Sequence, residues 1–77
     1  MLATQVIDLI LQNQILEVQE ALLPESDLFA LGLDSLAVMQ LLLVLETAVE
    51  RPLPQAEVSR RHLCTPESIA AWISSQA

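Results

Sequence analysis

The stretch Leu31-Gly32-Leu33-Asp34-Ser35-Leu36, running on into Ala37-Val38-Met39-Gln40-Leu41-Leu42-Leu43-Val44-Leu45-Glu46-Thr47-Ala48-Val49, decides the reading of this chain. Gly32 gives the backbone freedom for a sharp entry, and Asp34 is a good N-cap whose acid also suits the helix dipole. The spacing predicts a helix from Ser35 to about Val49, with Leu36, Met39, Leu42, Leu43 and Leu45 feeding a core. Pro52 and Pro54 stop it. The serine at its first turn sits where free N–H groups and the positive end of the dipole favour an anion, so its hydroxyl suits a phosphate ester.

Outward from this helix the pattern stays helical. Leu2, Val6 and Ile10 share one face, which predicts a first helix from about Leu2 to Leu16. A long connection comes after it, from roughly Gln19 to Leu33. Pro24 breaks helix, and Ser26 or Asp27 is placed to cap a short turn. Leu28, Phe29 and Leu31 are too apolar for a free loop and are expected to fold back as a lid on the helices. After Pro54, Gln55 to His62 is expected to hold a short third helix. Thr65-Pro66-Glu67 reads as a helix start, with Thr at the N-cap, Pro at the first helical position and an acid in the first turn. Ile69, Trp72 and Ile73 supply the buried face of that last helix.

Composition agrees with an all-α fold. The chain has 77 residues, 53% of them hydrophobic, and only two aromatic side chains besides its one histidine, Phe29 and Trp72. Its core is therefore aliphatic, and the length allows one small core and one domain, 1–77. One glycine and no strand-like alternation argue against a sandwich or barrel. A single cysteine excludes an internal disulfide and offers no metal-ligand set, and the expected compartment is a reducing one, the cytoplasm. The net charge of −7, without a lysine, disfavours nucleic acid and suits basic partner surfaces. The amino terminus lacks a signal-peptide pattern, and no apolar run is long enough for a bilayer, so neither secretion nor a membrane is expected.

The L-G-x-D-S-L run, the apolar helix ending in Leu45-Glu46, the Leu53-Pro54 pair and the last helix with Trp72-Ile73 resemble acyl carrier proteins and their peptidyl relatives. The resemblance covers nearly the whole chain. It implies a small four-helix bundle of three main helices and a short third one. It implies that Ser35 is esterified by 4′-phosphopantetheine from coenzyme A, with Asp34 assisting the modifying transferase near its magnesium. It also implies a non-catalytic monomer served by a phosphopantetheinyl transferase, a loading ligase or acyltransferase, and downstream synthase or tailoring enzymes. Leu36, Ala37, Gln40, Leu41 and Val44 are the candidate docking face, with Leu41 and Val44 also readable as core.

Two departures refine the resemblance. Many fatty-acid carriers bear acids where this chain has Ala37 and Gln40, and the segment from Pro54 to Leu63, with Arg60-Arg61-His62, is longer here. Both point away from housekeeping fatty-acid synthesis and toward a carrier of polyketide or nonribosomal peptide assembly, and a chain that starts at Met1 and ends soon after the last helix is expected to be freestanding. The single glycine before Asp34 leans toward acyl rather than peptidyl cargo. The alternatives are a specialised fatty-acyl carrier and an unmodified helical adaptor. A serine hydrolase is disfavoured, because Leu33 interrupts the Gly-Asp-Ser-Leu signature and the one histidine has no motif around it. His62 is expected on a solvated surface, Cys64 as a small buried filler, and Met39 and Phe29 in the core.

Overall fold

A computed structural model describes residues 1–76. The expected domain extends to Ala77, which lies outside the described residues. The helices are α1 (Ala3–Gln12), α2 (Ser35–Val49), α3 (Arg60–Leu63) and α4 (Pro66–Ser75), with a 3-10 turn at Gln55–Glu57 before α3. α1 packs chiefly against α4 and also against α2, while α3 lies on α4. Val6, Ile10, Leu28, Leu41, Leu45 and Ile69 are fully buried at the centre, and no polar or charged residue among those described is buried with them. None of the described helices is long and apolar enough to cross a membrane.

α1 is shorter than its periodicity predicts. It ends at Gln12, not Leu16, because Gln14 turns left-handed (φ 55°). The N–H of Ile15 then reaches back to the Ile10 carbonyl (3.0 Å) and that of Gln14 to Leu11 (3.3 Å), which is the Schellman closure. The Asn13 side-chain amide donates to the Leu9 carbonyl at 2.9 Å. Ile15 and Leu16 are buried as the first anchors of the loop rather than as helix.

The connection between α1 and α2 has no helix, yet it is tied down throughout. Both expected caps form: Ser26 Oγ accepts the Leu23 N–H at 2.8 Å, and Asp27 Oδ1 accepts the N–H groups of Phe29 and Ala30 at 3.1 and 3.2 Å. Two backbone bonds fix the loop to the far end of the chain. The Leu28 N–H donates to the Cys64 carbonyl at 2.8 Å, and the Glu67 N–H to the Pro24 carbonyl at 3.0 Å. Leu22, Leu28 and Leu33 fill the core, but Phe29 is half-buried and Leu31 is 43% exposed, so the expected lid closes through only part of its apolar set.

α2 spans the expected residues. Its buried face is Ala37, Leu41, Leu42 and Leu45, so Leu36, Met39 and Leu43 are not core residues as expected. Its end is a left-handed Glu50 (φ 58°), whose N–H, with that of Arg51, returns to the Glu46 carbonyl. Glu46 also holds the next segment: its carboxylate accepts the Leu53 N–H at 2.8 Å and the Gln55 side-chain amide at 3.0 Å.

The expected third helix is split. Val58 and Ser59 are extended, so the 3-10 turn and the single turn of α3 are separate pieces. His62 is half-buried rather than solvated. Its Nδ1 accepts the Ser59 N–H at 3.0 Å, and its ring stacks on Trp72 with centroids 5.8 Å apart. α4 begins as expected: Thr65 Oγ1 accepts the Ser68 N–H at 3.0 Å and Ser68 Oγ accepts the Thr65 N–H at 3.1 Å, a reciprocal capping box. Pro66 is buried at its first position, with Ile69, Trp72 and Ile73 inside.

Candidate functional site

Ser35 is the first residue of α2 and its side chain lies in an exposed position. Local chemistry puts it there. Gly32 adopts φ 113°, a conformation costly for any residue with a Cβ. Its N–H donates to the Phe29 carbonyl (3.2 Å), and the next N–H, of Leu33, donates to Leu28 (3.0 Å). Leu33 is buried, so the turn is anchored immediately before Asp34. Asp34 then starts the helix: Oδ1 accepts the Ala37 N–H at 2.9 Å, and its carbonyl accepts that of Val38 at 2.8 Å.

That arrangement satisfies the third amide of α2 with a side chain and leaves the amides of Ser35 and Leu36 outside the intrahelical ladder. Both lie at the positive end of a helix of 15 residues. The exposed hydroxyl and these donors suit a phosphodiester on Ser35.

Among the described residues no side chain is hydrogen-bonded to the Ser35 hydroxyl. The one imidazole is engaged elsewhere, as the cap of α3 and the stacking partner of Trp72. Among the described residues no group of three His, Cys, Asp or Glu side chains is placed to hold a metal ion. Cys64 is half-buried, with its thiol donating to the Arg61 carbonyl at 3.2 Å.

The candidate docking residues divide. Leu36 is 65% exposed and Gln40 is exposed, so both belong to the outer face of α2. Ala37 and Leu41 are buried at 8% and 0%, and are core residues, because their positions on the helix turn inward against the rest of the bundle. Val44 is half-buried at the edge, where it lines an open groove of about 290 Å³ with Leu9, Asn13, Leu43, Thr47 and Ala48. Two apolar residues of the outer face escape the sequence reading, Met39 (64% exposed) and Leu43 (61%). A signal existed. Gln40 and Thr47 lie seven apart on one stripe with Leu36 and Leu43, and their polarity marks that stripe as the outer one.

A second feature without a sequence signal lies beside the site. The Arg60 guanidinium sits 4.0 Å from the centroid of the Phe29 ring, so α3 rests on the turn that leads into Asp34.

The family described as the phosphopantetheine attachment site matches residues 5–73. Solved structures share the fold. One is a crystal structure of an engineered Bradyrhizobium japonicum glycine:[carrier protein] ligase complexed with carrier protein from Agrobacterium tumefaciens and ATP. The match there has a TM-score of 0.80 and 23% identity, over 95% of this chain and 96% of that chain. Another is the Bradyrhizobium japonicum ligase complexed with its cognate carrier protein and an analogue of glycyl adenylate, with a TM-score of 0.72 and 22% identity over 96% and 92% of the two chains. At such identities the likeness is one of fold. A search of the curated proteins finds no match.

Proposed function

The chain belongs to the phosphopantetheine attachment-site family, a family of non-catalytic carriers bearing covalent 4′-phosphopantetheine, and on that premise we propose that Ser35 is its attachment residue. The observation that carries the assignment is the exposed hydroxyl of Ser35 at the first turn of α2, within the matched region. The group supplies a terminal thiol, both nucleophile and leaving group in thioester chemistry. The chain's own part is mechanical. Asp34 holds the first turn in place, Gly32 permits the turn that leads into it, and the bundle offers a firm mount from which a tethered cargo meets the next active site at high effective concentration.

A separate phosphopantetheinyl transferase installs the group in this proposal, with Asp34 assisting. Leu36, Met39, Gln40 and Leu43 form the face that meets enzymes, since exposed apolar residues grouped on one helix face mark an interaction site. The proposed loading partner is an ATP-dependent ligase that activates an amino acid or another carboxylic acid. Its support is the fold shared with chains solved together with glycine:[carrier protein] ligases. The absence of charge on the outer face of α2 supports secondary-metabolite assembly over bulk fatty-acid synthesis. One carrier domain over 1–77, acting in the cytoplasm, completes the proposal.

Incubation with coenzyme A, magnesium and a broad-specificity transferase, followed by intact mass measurement, tests the assignment. The wild type gains one phosphopantetheine and Ser35→Ala gains none. Modification of Ser35→Ala moves the site elsewhere, and no gain on the folded wild type leaves the unmodified adaptor.

A further inference from the structure

We infer that the docking surface is polarised, and that it fits a partner protein presenting an apolar groove with carboxylates on the side that faces α3. The inference rests on the carrier reading for the choice of α2 as the docking helix. Leu36, Met39 and Leu43 make an exposed apolar ridge on α2, Leu31 is exposed in the turn before it, and no side chain from Ser35 through Leu45 is charged. Interface cores are poor in charge and relatively rich in arginine, and this ridge has an arginine flank.

The flank is built into the fold. The chain holds three basic residues besides its histidine, and one of them, Arg51, donates to the Ile73 carbonyl at the other end of α2. The remaining two, Arg60 and Arg61, are adjacent and exposed on α3. The bond from Leu28 to Cys64 and that from Leu33 to Leu28 fasten the end of α3 beside the entry to α2. Arg60 is also held over Phe29, in the same turn as Leu31. A guanidinium already held by an aromatic ring loses less freedom when it meets a carboxylate, and its planar fork suits that partner.

At Leu31 the neighbouring charge is of the other sign: Glu17 and Glu20 line an open hollow with it. Arginine therefore meets the turn before α2 at Phe29, and glutamate meets it at Leu31. Reversing a partner on such a surface brings like charges together, so this placement sets orientation. The net charge of −7 taken alone points to a uniformly basic partner. The molecule is 32 Å long, however, and charge is screened over roughly 8 Å at physiological salt, so the groups at the contact govern the fit.

The test uses the full isotope-labelled chain, phosphopantetheinylated, with three probes. These are a synthetic amphipathic helix with leucines flanked by glutamates, its lysine-flanked counterpart, and vesicles of phosphatidylcholine and phosphatidylglycerol. The glutamate peptide is expected to shift amide signals in 28–45 and 59–64. Arg60→Glu with Arg61→Glu weakens it about tenfold or more, as loss and reversal of close charge contacts does. Arg60→Gln with Arg61→Gln weakens it less, and carries the test if the reversed variant loses its Trp72 emission spectrum. No binding of the glutamate peptide, affinity unchanged in the arginine variants, shifts confined to α1 and α4, or binding of vesicles alone overturns the inference. Failure of Ser35 modification with the peptide responses intact overturns the carrier reading instead.

Discussion

The two faces of α2 have nearly the same composition and opposite fates. Ala37, Leu41 and Leu45 point inward and are buried to 8% exposure or less, whereas Leu36, Met39 and Leu43 point outward and are more than 60% exposed. Hydrophobicity therefore does not separate core from contact surface in this helix. The difference comes from phase, which is set where Asp34 starts the helix and where Glu46 and Glu50 end it. One face holds the bundle together. The other is exposed beside the serine at its head.

Breaking the inner face has the largest expected effect on stability. Leu41→Ala removes a fully buried side chain and costs about 2–5 kcal/mol. For a domain of this size each kcal/mol lowers the melting temperature by about 4–8 °C, so thermal unfolding followed by circular dichroism reads the loss directly.

The end of the helix comes next. Glu46→Ala leaves the Leu53 N–H without its acceptor, at a cost of about 1–3 kcal/mol, and frees the segment from Leu53 to Gln55. Glu46→Gln retains an acceptor and is expected to recover most of that stability in urea melts. Equal losses in the two variants would mean that the charge, not the hydrogen bond, holds the segment.

The start of the helix separates structure from function. Asp34→Ala removes the cap on the Ala37 N–H and costs about 1 kcal/mol. Asp34→Asn preserves a capping oxygen and is expected to unfold at nearly the wild-type urea concentration. If the carboxylate assists modification, a mass time course with the transferase slows in Asp34→Asn despite that stability. An unchanged time course reduces Asp34 to a cap.

The same contrast explains what could be read from the chain. The starts of α2 and α4 are legible because caps are local chemistry: Asp34 reaches three residues on, and Thr65 and Ser68 bond each other. The serine is legible because its neighbours in sequence are also its neighbours in space. The faces of α2 are legible only faintly, since apolar residues crowd both of them and Gln40 and Thr47 alone mark the outer stripe. The end of α1 escapes because a left-handed turn at Gln14 has no glycine to announce it. The course of the long loop escapes because Leu28–Cys64 and Pro24–Glu67 join residues far apart in sequence. His62 looked solvated because its partners, Ser59 and Trp72, are one close and one distant.

The inner face of α2 makes the fold, while the outer face and Ser35 carry the proposed function. Replacing Leu36, Met39 and Leu43 together by serine, then measuring both melting temperature and the rate of phosphopantetheinylation, tests it most directly. This division predicts a melting temperature at most about 6–12 °C below wild type, since the three exposed positions contribute roughly 0.5 kcal/mol or less each. It also predicts much slower modification of Ser35. Unfolding of the triple variant, or modification at the wild-type rate, contradicts it.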